Sequence, residues 1–301
     1  MSPEEEREVR GIIASIPIIA TYKGPVARLG GLTNRVYQLS SAVLRVPGRG
    51  TEEYINRANE AAAAFVASEA HVSPEVLYAD VPTGLMVTRM VSHSTTMSPE
   101  LFKTRPGSPA RAGAVFHKLH MSGGAFPFRF ELFAMIDDYL KVLSTKDVEL
   151  PPGYHDVVKE AGTIRKVLEK RPAALAPCHC DPLCENFLDD GERMWIVDWE
   201  YSGMNDPMWD LGDLSVEGHF NEAQDAEMLV SYFGGAPTAA DHGRMVIYKA
   251  MCDLLWTLWG LIQHANQNPA DDFAAYALNR FNRCKALMAT PDFSRHAGAV
   301  A

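Results

Sequence analysis

Apolar residues follow two different rhythms along this chain of 301 residues. Up to about residue 90 they fall in short runs bounded by turn residues: Val26 to Leu29, Val36 to Leu39, Ala42 to Val46, Val76 to Tyr78 and Leu85 to Arg89. Runs of this length predict strands. Between the third and fourth lies an Ala- and Glu-rich stretch, 51–70, which predicts a helix with Thr51 as N-cap and Glu52 and Glu53 in its first turn. A short helix is expected ahead of the first strand. The order predicts a five-stranded, largely antiparallel sheet with one packed helix.

Past a boundary near residues 89–94 the apolar spacing becomes helical, over 108–121, 131–143, 155–170, 222–233, 241–265 and 271–289. One β insert interrupts the series. Asn186-Phe187-Leu188, then Asp189-Asp190-Gly191, then Met194 to Val197 reads as strand, turn, strand, with Asp-Gly as the hairpin signal. The chain is therefore expected to be α+β: a small antiparallel sheet lobe with one helix, 1–91, and a larger, mainly helical lobe, 92–301.

Composition narrows the class. Hydrophobic residues make up 47% and charged residues 22%, as in a folded protein. The net charge of −10 argues against non-specific nucleic-acid binding, which needs a basic footprint. The charge is also polarised: residues 181–230 hold fourteen Asp/Glu against one Arg, while 21–60 hold six Lys/Arg against three Glu. The acidic start MSPEEEREVR lacks the positive region of a secretory signal. The apolar runs GIIASIPIIA and LLWTLWGLI fall well short of the ~20 residues a membrane helix needs. A cytoplasmic protein without stable membrane insertion is expected. Five cysteines, an odd count in a long chain, do not suggest a disulfide framework.

The candidate chemistry lies in CHCDPLCENFLDDGERMWIVDWEYSGMNDPMWDLGDLS, residues 178–215. His179, Asp181 and Asn186 form an H-x-D-x-x-x-x-N pattern, and Asp198 ends the second hairpin strand. A loop before a hairpin and the far end of that hairpin return to one edge, so Asp181, Asn186 and Asp198 can converge. Such a set suits phosphoryl transfer: one carboxylate accepts a hydroxyl proton while Asn and a second carboxylate hold Mg²⁺. Asp189 and Asp190 read as plain turn residues. A zinc site from Cys178, His179, Cys180 and Cys184 would strain four ligands into seven residues around Pro182, and small buried cysteines packing the loop fit better.

These strings resemble the choline/ethanolamine kinase family, within the wider group of aminoglycoside-phosphotransferase-like and protein-kinase-like enzymes, and most of all its bacterial choline kinase-like branch. HCDPLCEN and IVDWEYSGMNDPMWDLGDLS carry the resemblance, with GGLTNRVYQL, LRVPGRGTEEYINRANE, VLYAD, GLMVTRM and LHMSGGAFPF in family order from about residue 28 to 290. DWEYSGMND is specific, whereas GGLTN alone is weak. Protein kinases themselves are excluded, because Asp198 is followed by Trp-Glu and no G-x-G-x-x-G occurs. The resemblance implies a protein-kinase-like two-lobe fold, with the 1–91 lobe binding nucleotide.

It also implies roles. Asp181 would be the catalytic base, with His179 beside it in the catalytic motif as a brace of the loop more than a proton carrier. Asn186 and Asp198 would hold Mg²⁺, and Glu200, on the same side of its strand as Asp198, would help with a second ion. Asp210 would brace the catalytic loop. Gly31, Thr33 and Asn34 would face ATP phosphates, Arg45 would take the place of the phosphate-binding Lys, and Glu60 would pair with it, Glu53 being the other candidate partner. Backbone groups of Arg89, Met90 and Val91 would read the adenine. Trp256 and Trp259, three apart on a helix, would share a face. With Tyr201 and Tyr276 they would form a cation–π cage whose charge Glu217 balances.

The expected activity is ATP-dependent phosphorylation of choline to phosphocholine. Ethanolamine, another small amino alcohol or an aminoglycoside is the nearest rival acceptor, although aminoglycosides would call for a broader acidic pocket than a Trp pair builds. A catalytically silent protein that binds a cationic metabolite is the rival from another class. A homodimer is left open.

Overall fold

The structure is a computed structural model and describes residues 1–30, 34–48, 55–269 and 271–301. Ser2 caps α1 (Pro3–Ser15), its side chain accepting from the Glu5 N–H. The sheet follows: β1 (Ala27–Gly30), β2 (Arg35–Leu39), β3 (Ala42–Val46), then, after α2 (Arg57–Glu69), β4 (Val76–Asp80) and β5 (Leu85–Arg89). Its order is β1-β2-β3-β5-β4, antiparallel throughout.

Period-two alternation divides the faces. In β3, Ala42, Leu44 and Val46 are buried. They pack with Val9, Ile13 and Ile16 of α1 and Tyr37 of β2. Arg45, between Leu44 and Val46, therefore points from the opposite face, opposite Val36 on one side and Met86 on the other. Helix α2 is shorter than expected. Asn56 caps it, its Oδ1 accepting from the Ala58 and Asn59 N–H groups at 3.1 Å, so the helix starts at Arg57 and not at Thr51. Thr51, Glu52 and Glu53 lie outside the described residues. Ala63, Ala64 and Ala67 of α2 join the core of the larger part, so the small helix belongs by packing to both halves.

The larger part begins with β6 (Thr95–Thr96), α3 (Pro99–Thr104), α4 (Ser108–His120), α5 (Leu132–Leu143) and α6 (Tyr154–Lys170). Next come β7 (Ala176–Cys178), a 3₁₀ turn at Cys184–Asn186, β8 (Phe187–Asp189), β9 (Met194–Ile196) and β10 (Gly203–Asn205). It ends with α7 (Met208–Glu217), α8 (Glu222–Phe233), α9 (Ala239–Ala265), α10 (Phe273–Met288) and α11 (Pro291–Val300). The β8–β9 hairpin carries β6 on its edge, and β7 pairs with β10. Strands β6, β7 and β10 and helices α3 and α11 were not foreseen. The three strands have two or three residues each, too few to show a period, and both helices run ten residues or fewer behind a Pro.

Helix α9 is the centre of this part. It spans 27 residues, and by length and hydropathy it could cross a membrane, which the short runs read from the sequence did not suggest. Yet 83% of its apolar window is buried inside the protein, against α7, α10 and α11 among others, so it is a core helix. Two glycines allow close approach. A Cβ on Gly113 of α4 would lie 2.2 Å from the Met228 carbonyl oxygen of α8, and one on Gly260 of α9 would lie 2.8 Å from a ring carbon of Tyr276.

Candidate active site

Asp210, fully buried on α7, anchors the loop that follows β7. Its Oδ2 accepts from the His179 N–H at 2.7 Å and its Oδ1 from the Cys180 N–H at 2.9 Å. The His120 ring of α4 contacts the same carboxylate through Nε2 at 3.0 Å and the Tyr232 hydroxyl through Nδ1 at 3.0 Å. Cys180 is thereby held at φ +68°, and its carbonyl accepts from the Trp209 indole at 3.1 Å. A left-handed non-glycine residue needs such over-determined surroundings. Asp181 is the next residue, so this strap aims its carboxylate.

His179, beside Asp181 in the same motif, is turned into the protein. Its ring is buried, its Nε2–H donates to the Val197 carbonyl at 3.0 Å, and it packs edge-on against Trp199. Burial also pushes its pKa down, which keeps the ring neutral. His179 ties the loop to the hairpin.

Asn186 closes the other end of the loop, its side-chain N–H₂ donating to the Asp181 carbonyl at 3.1 Å and its oxygen turned away from that bond. Asp198, just past β9, sits at φ +69°, the second left-handed non-glycine position beside the site. Its carboxylate, 33% exposed, meets the sheet lobe: Arg45 Nη1 lies 3.3 Å from Asp198 Oδ1 and 3.2 Å from Glu200 Oε1. Arg45 also pairs with Glu60, which is buried on α2. Arg57, one turn before Glu60, bonds Glu60 at 2.8 Å and Glu200 at 3.3 Å. Asn34 donates to Glu200 and, at 3.5 Å, to Asp198. Burial raises the pKa of Asp198 against the pull of Arg45, and raises that of Glu200 with help from Asp198.

Two guanidiniums and Asn34 thus bond Oε1 of Glu200, the residue the sequence suggested as a helper for a second ion. Glu60, Asp198 and Glu200 bring carboxylate oxygens within 4.8 Å of one another. Oxygen donors from Asp198 and Asn186 fit a hard divalent cation. On the basic side, Nε and Nη2 of Arg45 are buried without a partner among the described residues, donors that suit phosphate oxygens. Gly31 and Thr33 lie outside the described residues. At the end of β5, Arg89 is 55% exposed and pairs with Glu75, while the Arg89 and Met90 N–H groups go to the Glu75 and Ser41 carbonyls. Of the three expected adenine readers, this leaves the Val91 N–H as the one without a backbone hydrogen bond among the described residues.

Around Trp256 and Trp259 of α9 the aromatic residues meet. Tyr201 stands edge-on to Trp256 at 5.9 Å between centroids, Trp256 to Trp259 at 6.3 Å, and Trp259 to Tyr276 at 5.9 Å. Phe273 packs behind Trp259 at 5.4 Å. The pKa of Asp181 is pushed up to about 8, first by burial, then by Glu217 and then by Asp198, with Arg280 opposing. Asp181 therefore feels acids on both flanks.

Several residues at this site escaped the sequence reading. Arg57 was visible only as a cation three residues before Glu60, a helical spacing. Arg280 sits in the YALNRF string from which Tyr276 alone was taken. It bonds Glu217 at 2.5 Å and Asp253 at 3.3 Å and lies 4.7 Å over the Tyr276 ring. Asp213, below them, bonds the Cys252 thiol at 2.7 Å.

Known proteins resemble this chain in sequence and fold. The choline/ethanolamine kinase family model matches residues 27–228. A crystal structure of a choline/ethanolamine kinase family protein from Mesorhizobium loti is 68% identical, covers 98% of each chain and superposes with a TM-score of 0.94. The choline kinase LicA from Streptococcus pneumoniae is 26% identical over 95% of this chain and 99% of its own, with a TM-score of 0.78. Protein LicA of Haemophilus influenzae is 25% identical over 279 residues, 88% of this chain and 80% of its own. With two thirds of the chain inside the family model and the two-lobe α+β fold in common, the protein belongs to the choline/ethanolamine kinase family of small-molecule kinases.

Proposed function

We propose that the protein transfers the γ-phosphoryl group of ATP to the hydroxyl of choline, giving phosphocholine and ADP. The observation that carries this reading is that Asp181 lies within electrostatic reach of two different sets of residues. One set is Asp198 with the Arg45 cluster, and the other is Glu217, joined through Arg280 to the Tyr276 ring of the aromatic group. A small molecule with a cationic head and a hydroxyl end would put that hydroxyl at Asp181. The aromatic faces suit a trimethylammonium head, which offers no N–H to a carboxylate. That the Streptococcus pneumoniae relative is a choline kinase supports the same acceptor.

In this mechanism the hydroxyl oxygen attacks the γ-phosphorus, its proton passes to an Asp181 carboxylate oxygen, and the bond from the γ-phosphorus to the ADP oxygen breaks. A base whose pKa is raised to about 8 is matched to that task near neutral pH. Arg45, steadied by Glu60, would hold phosphate oxygens with its two unpaired donors. Mg²⁺ held by Asp198 and Asn186 would neutralise charge on the transferring phosphates. The Val91 N–H would meet the adenine edge, at the division we place between lobes 1–91 and 92–301.

ADP release measured with choline, ethanolamine, thiamine and an aminoglycoside tests the proposal. The expected ranking by kcat/KM has choline first. Turnover of the aminoglycoside alone would overturn it, and binding of choline without Mg²⁺-dependent ADP release would favour a silent binding protein.

A further inference from the structure

The acceptor box already contains a cation of its own. Arg280 is 5% exposed on α10, and its guanidinium lies 4.7 Å over the Tyr276 ring while bonding Glu217 Oε1. Its other nitrogen reaches Asp253 Oδ1 at 3.3 Å. Asp253 does not depend on that contact, because Arg283 bonds it through Nε at 3.1 Å and through Nη2 at 2.5 Å. Arg280 is therefore chiefly the partner of Glu217. Two carboxylates, Glu217 and Asp253, face two guanidiniums, and the local charges cancel.

The remaining acids add little counter-charge. Asp213 lies fully buried with one oxygen unpartnered, and burial together with Glu217 and Asp181 pushes its pKa well up, towards the uncharged form. Asp181 faces the hydroxyl end. Glu217 Oε2, which Arg280 does not bond, is left for one ammonium. A second ammonium entering the box would meet Arg280 with no acid to offset it, in surroundings where burial makes like-charge repulsion strong.

We infer that Arg280 is a specificity-determining residue, which sets the charge of the acceptor box so that it takes monocationic amino alcohols and rejects those carrying two or more ammonium groups. The inference rests on the reading of Tyr201, Glu217, Trp256, Trp259 and Tyr276 as the acceptor box. It assigns the rejection of polyamines to one charge on α10, in addition to pocket size.

The test compares kcat/KM for choline and ethanolamine with that for 1,3-diamino-2-propanol, a small dicationic alcohol, in the wild type, Arg280→Gln and Arg280→Lys. Gln can still donate to Glu217 but carries no charge. The ratio of dication to monocation should rise by about tenfold or more in Arg280→Gln and stay near wild type in Arg280→Lys. Where Arg280→Gln fails to fold, Glu217→Gln reads the same balance from the other side, and the dication should lose more than the monocation. An active wild type whose ratio is unmoved in folded Arg280→Gln overturns the inference alone. A wild type that phosphorylates no amino alcohol overturns the acceptor-box reading, and this inference with it.

Discussion

Arg45 and Asp198, 153 residues apart in sequence, lie 3.3 Å from each other. One belongs to the middle strand of the sheet and the other follows the hairpin, so this contact joins the two halves. The same guanidinium holds Glu60, which is 2% exposed and would otherwise rely on Arg57. Arg45→Met should therefore destabilise the fold by about 3 kcal/mol and raise KM for ATP far more than KM for the acceptor. Urea unfolding and initial rates measure both. Stability within about 0.5 kcal/mol of wild type would show that the pair does not hold the halves together.

Asp181→Asn separates chemistry from stability. Turnover should fall by about 10²- to 10⁴-fold, the usual worth of a positioned base. Stability should change the other way. The folded carboxyl titrates near 8 against an ordinary 3.8, so the folded state holds the proton longer than the unfolded chain does. That contribution is fully present below the ordinary value and is lost as pH rises through about 8. The variant should therefore melt above wild type at pH 8.5, by about 2 °C or more, and the gap should close towards pH 4. Melting scans at the two pH values decide it.

The pH profile should report the same group. In the free enzyme, kcat/KM should fall on the acid side with an apparent pKa well above the ordinary carboxylate range. Glu217 is the largest charged contributor to that elevation. Glu217→Gln should move the acid limb to lower pH as well as weakening acceptor binding. A limb that stays in place would mean another group governs it.

Asp210→Asn tests the strap behind the catalytic loop. Asparagine offers one acceptor oxygen where the carboxylate offers two, so either the His179 or the Cys180 N–H loses its partner. An unpaired buried N–H costs about 1–3 kcal/mol. kcat should drop by at least about tenfold with KM for ATP little changed, because the affected loop aims Asp181 and not the nucleotide.

Gly260→Ala should act on the acceptor alone. The added carbon would meet Tyr276 at 2.8 Å and displace one wall of the aromatic box. KM for the acceptor should rise by about tenfold while KM for ATP holds. An equal rise in both would indicate general loosening of α9 against α10.

Legibility in the sequence followed the range of each signal. The sheet and the long helices carry their own period, so Arg45 could be assigned to a strand face and Trp256 with Trp259 to one helix face. Asp181, Asn186 and Asp198 could be grouped because a hairpin returns the chain to one edge. Arg280 was missed for a different reason. Nothing in its own helix marks it, and its meaning comes from Glu217 on α7 and Asp253 on α9, brought together only by packing. Arg57 was hidden because the start of α2 depends on the Asn56 cap, and an earlier Thr-Glu-Glu imitates a cap equally well. His179 shows the reverse, a chemically able side chain whose carbonyl partner was beyond sequence reach.

The five cysteines, all free and all buried, give the molecule an internal record of its own opening. Cys178, Cys180 and Cys184 line the loop around Asp181, whereas Cys252 and Cys284 lie in the core helices α9 and α10. A thiol reagent can reach each group only when the structure around it separates. If the loop opens independently of the helices, the first three should be labelled faster than the last two, and nucleotide should slow only the first set. Uniform labelling would mean that loop and helical core part in a single cooperative event.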